Sequence, residues 1–167
     1  MTLLVANAII GRIMSKKIAI SVHLATDHAG LAMKNAVKAA LVRDGYHVYD
    51  FGAYAADPAD DYPDFVLPAA EAVAFSRGAF GIVFGGSGNG ECMVANKVRG
   101  IRAALCHDAY TAKMSRAHND ANVLCLGART MTAKKAVALA RLWLSTTFSG
   151  DKRHARRIAK ISRYEGR

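Results

Sequence analysis

Phe80-Gly-Ile-Val-Phe-Gly-Gly-Ser-Gly-Asn-Gly-Glu91 is the stretch that decides the fold. Residues 80–84 form a short apolar run that reads as a buried strand, and the glycine-rich turn after it leads into a helix over 91–98. The same rhythm continues on both sides. Upstream, residues 17–26 read as a first strand, 31–43 as a helix stopping at Gly45, and 46–51 as a second strand. An acidic, proline-marked loop over 57–64 precedes a helix over about 65–76. Downstream, 102–106 and 122–126 read as strands, and 109–117, 132–144 and 151–163 as helices. Strands alternating with helices over short links predict an α/β fold of three layers, a parallel sheet covered on both faces. Right-handed crossovers then put every strand C-terminal end on one edge, where ligands of such sheets bind. Asp27-His28, the loop 86–91, His107-Asp108 and Gly127-Ala-Arg129 all fall just beyond strand ends and should gather there.

A length of 167 residues fits one domain. Residues 17–167 are assigned to that domain, and residues 1–16 are read as an N-terminal extension, since Met14 is followed by Ser15-Lys16-Lys17 and then the first strand. The apolar residues 1–10 lack a basic leader and end at Gly11-Arg12, so export is not expected. No apolar run reaches the roughly 20 residues needed to cross a bilayer. Cys92, Cys106 and Cys125 are odd in number and form no Cys-x-x-Cys pair. They read as reduced thiols of a cytoplasmic protein, not as a zinc site.

The net charge of +10 is concentrated toward one end. Lys152, Arg153, Arg156, Arg157, Lys160, Arg163 and Arg167 outnumber Asp151 and Glu165, which places half of that excess in the terminal segment. Such charge attracts nucleic acid, anionic membranes or small anions alike. A nucleic-acid-binding module is therefore the non-enzyme alternative. No aromatic stripe, helix-turn-helix or zinc pattern accompanies the basic segment, so neither a nucleic-acid nor a membrane partner is expected.

Gly86, Ser87, Gly88, Asn89 and Gly90 lie between a buried strand and a helix. Glycines there allow close backbone approach, so the loop suits either a plain tight turn or a nest for an anion. The spacing is not a dinucleotide fingerprint, because the first strand turn reads Thr26-Asp-His-Ala-Gly30. Nor does a Gly-Lys-Ser/Thr phosphate loop occur, which disfavours nucleotide cofactors. Glu91, in the first helical turn, is either a favourable partner of the helix dipole or a base. A base removing a proton α to a carbonyl needs donors nearby for the enediolate it creates. On residues alone both readings of the loop and of Glu91 stand.

The run 85–91 with Ala95-Asn-Lys97 resembles the type-B ribose-5-phosphate isomerases and their galactose-6-phosphate isomerase relatives. Further segments carry the resemblance in order: Asp27-His-Ala-Gly30, Asp50-Phe-Gly52, Asp61-Tyr-Pro63, Gly100-Ile-Arg-Ala103, Arg116-Ala-His-Asn-Asp-Ala-Asn122, Leu126-Gly-Ala-Arg129 and Arg153-His-Ala-Arg-Arg157. The resemblance implies a Rossmann-like fold with a five-stranded parallel sheet. It also implies a C-terminal helix docking on a neighbouring subunit of a homodimer or tetramer, no metal and no cofactor, and aldose–ketose isomerisation of a sugar phosphate through a cis-enediol. Many members carry a cysteine base at the start of a Cys-Gly-Thr-Gly sequence. Gly85 stands at that position here, and a subgroup instead places a glutamate after the glycines, as Glu91 is placed.

By the same resemblance Glu91 is the base, His118 protonates the ring oxygen, and Asp27 assists ring opening while holding sugar hydroxyls with His28. Gly86 to Gly90 and Asn119 bind substrate, and Arg129, Arg153 and Arg157 clamp the phosphate. Arginine's planar fork suits that task, and positions 153 and 157 share one helical face. Cys92 is read as a packing residue. Ribose 5-phosphate is the first-choice substrate; tetrose and hexose phosphates, such as erythrulose phosphate or allose and galactose 6-phosphate, are the alternative.

Overall fold

A computed structural model describes residues 20–166, so the extension expected at 1–16 lies outside the described residues. Five parallel strands, β1 (Ser21–Thr26), β2 (His47–Asp50), β3 (Phe80–Gly85), β4 (Ala103–Leu105) and β5 (Val123–Gly127), form one sheet in the order β2-β1-β3-β5-β4. Six helices join or follow them: α1 (Leu31–Arg43), α2 (Tyr62–Phe75), α3 (Asn89–Ala95), α4 (Ala109–Asn119), α5 (Ala133–Ser145) and α6 (Lys152–Tyr164). The three-layer, five-stranded arrangement is the one expected from the alternation.

Period-two burial sorts each strand between two cores. Val22, Leu24, Ile82, Phe84, Leu124 and Leu126 point to one face, where they meet Val37 and Leu41 of α1, Ala112 of α4 and Leu139 and Trp143 of α5. Ala25, Val83, Val123 and Cys125 point to the other, against Val66, Ala69 and Val73 of α2 and Ala95 of α3. The helices after β1 and β3 thus lie on opposite faces. That divergence opens a crevice between these adjacent strands at their C-terminal ends, the usual ligand position in such sheets.

Local differences from the sequence reading have local causes. Helix α2 starts at Tyr62, three residues early, because Pro63 occupies its first turn, where a missing N–H costs nothing. A 3-10 turn over His28–Gly30 follows β1 and is capped by Asp27, whose side chain accepts from the Ala29 N–H at 3.0 Å.

One buried ion pair fixes the chain beside that turn. Lys34 of α1 is 0% exposed and donates from Nζ to Asp50 Oδ1 and to the Ala53 carbonyl, each at 2.6 Å. Lys38 takes Asp50 Oδ2 at 2.8 Å, and the Gly52 N–H donates to Oδ1 at 3.1 Å. Residues 52 and 53 are in turn bonded to the backbone of Thr26, so the anchor reaches the end of β1. Burial pushes the Asp50 carboxyl up, but the two ammonium groups and the Gly52 N–H outweigh it and hold it below the usual carboxylate range. Its contribution to stability is therefore present above that range and lost as pH falls through the depressed value. Replacing Lys34 with methionine leaves Asp50 half-paired and should cost about 3 kcal/mol in denaturant unfolding at neutral pH. A loss below ~1 kcal/mol would mean that Lys38 alone suffices.

Candidate active site

Close contacts between and within the loops shape the crevice. Gly88 adopts φ +80°, which glycine tolerates at no steric cost, and turns the chain into α3. A Cβ on Gly127 would lie 2.5 Å from the Ser87 carbonyl oxygen, so the loops after β3 and β5 touch backbone to backbone. The Ala128 and Arg129 N–H groups donate to the carbonyls of Gly85 and Gly86 at 2.8 and 2.9 Å. The Arg129 guanidinium lies along Gly86, 3.3 Å from where a Cβ would stand. Asn89 donates its side-chain amide to Ser87 Oγ at 3.2 Å.

Glu91 is 4% exposed, and its carboxylate fills the space beside Gly85. A Cβ at residue 85 would stand 1.8 Å from Oε1 and 2.0 Å from Cδ. Burial pushes the Glu91 carboxyl up; a hydrogen bond from its own backbone opposes this, and the charge of Asp27 adds to the rise. A carboxyl raised toward neutrality is a better general base than an ordinary glutamate. Cys92 turns instead toward β4, with Sγ 3.6 Å from the Ala103 carbonyl oxygen.

Asp27 and His28 sit at the end of β1, across the crevice. Asp27 is buried. His28 donates its backbone N–H to Asp60 Oδ1 at 3.1 Å, and its Nδ1 lies 2.6 Å from the same oxygen. The hydrogen bond to Asp60 raises the His28 imidazole; burial opposes it, Asp27 supports it and Arg129 opposes it. Asp27, His28 and Asp60 bring ligand atoms within 4.8 Å of one another. Nδ1 and Oδ1 are already spent on each other, which makes this a hydrogen-bonded dyad with a neighbouring acid, not a coordination shell. Asp60 is not among the residues the sequence points to, and Tyr62 enters there only within Asp61-Tyr-Pro63, with no role of its own. A Cβ on Gly90 would lie 2.8 Å from the Tyr62 hydroxyl, which borders the loop.

The remaining expected site residues are elsewhere in the chain. Helix α4 starts beyond β4 and runs back to the start of β5, so His118 and Asn119 in its last turn lie at the strand N-terminal edge. At about 3.3 Å per residue, β5 alone separates the two edges by ~16 Å. His118 stacks on His154 of α6, centroids 4.2 Å apart with planes 12° from parallel. Arg153 and Arg157 are on the same helix, exposed, with Arg153 Nε 3.3 Å from Asp151 Oδ2. A cavity of about 860 Å³ also opens at this edge, and none of the expected residues lines it. One chain therefore brings together Asp27, His28, residues 86–91 and Arg129, and holds His118, Asn119, Arg153 and Arg157 apart from them.

The ribose/galactose isomerase family model matches residues 22–161. The ribose-5-phosphate isomerase B of Mycolicibacterium paratuberculosis is 41% identical over 144 residues, covering 86% of this chain and 91% of that protein. A putative sugar phosphate isomerase of Bacillus subtilis is also 41% identical, with 86% and 96% covered. Among solved structures, the Clostridium thermocellum ribose-5-phosphate isomerase B superposes with a TM-score of 0.84 at 43% identity, over 88% of this chain and 98% of that one. The Mycoplasma genitalium ribose-5-phosphate isomerase B, solved with bound ribulose-5-phosphate, gives 0.85 at 40% identity, over 88% and 97%.

The Gly85–Glu91 contact makes a sharp expectation. Gly85→Ala should fold with its melting temperature nearly unchanged, because the flexible end of Glu91 can swing away. Its turnover should fall at least ~100-fold, the usual contribution of a positioned base. An alanine variant with wild-type kcat would mean that the carboxylate does not act from this position.

Proposed function

The chain belongs to the ribose/galactose isomerase family, and we propose that it interconverts D-ribose 5-phosphate and D-ribulose 5-phosphate. The observation that carries this reading is the buried Glu91 carboxylate at the end of β3, in the crevice facing Asp27. Glu91 takes the proton from C2 of the open-chain aldose. The C2–H electron pair becomes the C1–C2 double bond of a cis-enediolate, and the carbonyl pair moves onto O1. A proton then passes from O2 to O1, the O2 pair forms the C2 carbonyl, and the C1–C2 double-bond pair takes the proton back from Glu91 at C1, giving the ketose. The loop Gly86–Gly90 faces the oxygens on which charge develops, and His28 holds a sugar hydroxyl. Ring opening precedes this step: His118 protonates the ring oxygen while Asp27 takes the anomeric hydroxyl proton.

Because His118, Asn119, Arg153 and Arg157 lie at the opposite edge from Glu91, a second copy must supply them. The site is then shared in a homodimer or tetramer, with α6 docked on the neighbouring subunit. Arg129 of one copy and Arg153 and Arg157 of the other hold the phosphate by bidentate hydrogen bonds. The basic terminal segment serves the substrate's phosphate in this arrangement. The free thiols Cys92, Cys106 and Cys125 suit a reducing cytoplasm. Among the described residues, no helix is long and apolar enough to cross a membrane.

Ribulose 5-phosphate formation should be detected with the wild-type chain and fall about 10²- to 10⁴-fold in kcat for Glu91→Gln. Glu91→Gln retaining wild-type turnover would refute the base. Co-expression of Glu91→Gln with His118→Ala tests the shared site. Each mixed dimer contains one intact site, so about a quarter of wild-type activity should return from two inactive parents. Absence of any recovery from a verified mixed dimer would place both residues in the same subunit's site.

A further inference from the structure

Asp60 lies in the acidic loop before α2, 32 residues along the chain from His28, and the chemistry above leaves it unused. Its side chain is 10% exposed and its Oδ1 accepts from His28 twice, from the main-chain N–H and from ring Nδ1. An ionised carboxylate only accepts, so Nδ1 carries the proton whatever the charge of the ring. The tautomer is thereby set, and Nε2 is the nitrogen left for a ligand: a donor when the ring is cationic, an acceptor when it is neutral. The second bond, to the His28 backbone, pins the chain from which the ring springs. Asp60 Oδ2 is buried without a hydrogen-bond partner, so the imidazole is the group that answers this carboxylate.

We propose that Asp60 is a positioning residue that holds His28 as a cationic donor, presenting Nε2–H to the sugar oxygen on which the enediolate charge develops. This role rests on the isomerase reading above. It makes His28 an electrophile instead of a simple anchor for a hydroxyl. The 2.6 Å contact is as short as charge-assisted bonds become, which fits a cation–carboxylate pair. The charged groups facing His28 are Asp27 at its own strand end, Asp60 from the loop before α2, and Arg129 from the loop after β5; two acids outweigh one arginine. Glu91 stands beyond Asp27 and couples to it.

Deprotonation of His28 at high pH removes the Nε2 donor, since the remaining proton stays on Nδ1. With ribulose 5-phosphate as substrate, which is open-chain and needs no ring opening by His118, the basic limb of kcat/KM therefore reports His28. Removing the Asp60 charge lowers the imidazole's proton affinity, so in Asp60→Asn this limb should move about one to three pH units lower. Asp60→Glu, which keeps the charge, should return it toward the wild-type position. A ring titration of His28 by 15N NMR in the ligand-free wild-type protein gives a second reading that needs no variant to fold. It should show a proton retained on Nδ1 and a midpoint above about 6.5, the ordinary histidine value. An unmoved limb in Asp60→Asn, even with lower kcat or melting temperature, would overturn the role and leave a structural carboxylate. So would a wild-type His28 midpoint at or below the ordinary value. A wild-type chain that isomerises no aldose phosphate would overturn the reaction itself, and this role with it.

Discussion

Glu91 and residue 85 compete for one volume, and the rest of the site depends on how that competition is resolved. With glycine at 85 the carboxylate can fold back over the end of β3, where burial and the nearby Asp27 raise its proton affinity. Any side chain at 85 would expel it. The same economy of backbone runs through the crevice: Gly127 admits the Ser87 carbonyl, and Gly86 admits the Arg129 guanidinium. The loops after β3 and β5 can meet there only because side chains are missing where they touch. The Lys34–Asp50 anchor holds the neighbouring loop to the end of β1 and so fixes the wall carrying Asp27 and His28.

Chain direction imposes the second constraint. A helix that follows a parallel strand returns to the opposite edge of the sheet, so a residue in its last turn faces away from the strand C-terminal ends. His118 is such a residue, and its stacking on His154 binds α6 to the same edge. Under the proposed chemistry, Glu91 and the group of His118, Arg153 and Arg157 would cooperate only between copies. In that view the exposed, basic α6 is half of a neighbour's phosphate site.

Most of the fold was legible because buried parallel strands and amphipathic helices alternate without long loops. Boundaries slipped where capping chemistry overrode periodicity, as at Pro63 in the first turn of α2. The loop 86–90 and Glu91 were legible as a unit because they are contiguous. The His28–Asp60 dyad was not, since it joins positions 32 apart and an acidic loop reads as solvated surface. Tyr62 beside Gly90 was hidden for the same reason: contact between loops leaves no periodic trace. The separation of His118 from Glu91 was present only implicitly, in the direction of α4, and became evident once the strand order was known.

Hydrogen exchange at the reacting carbons tests most directly whether Glu91 carries the proton. In D2O the wild-type chain should exchange deuterium into the carbon-bound position of the sugar phosphate at C1 or C2 during isomerisation. Glu91→Gln should lose that exchange in proportion to its loss of net turnover. Exchange persisting at the wild-type rate in Glu91→Gln while net isomerisation falls would contradict the assignment and place the proton on another group.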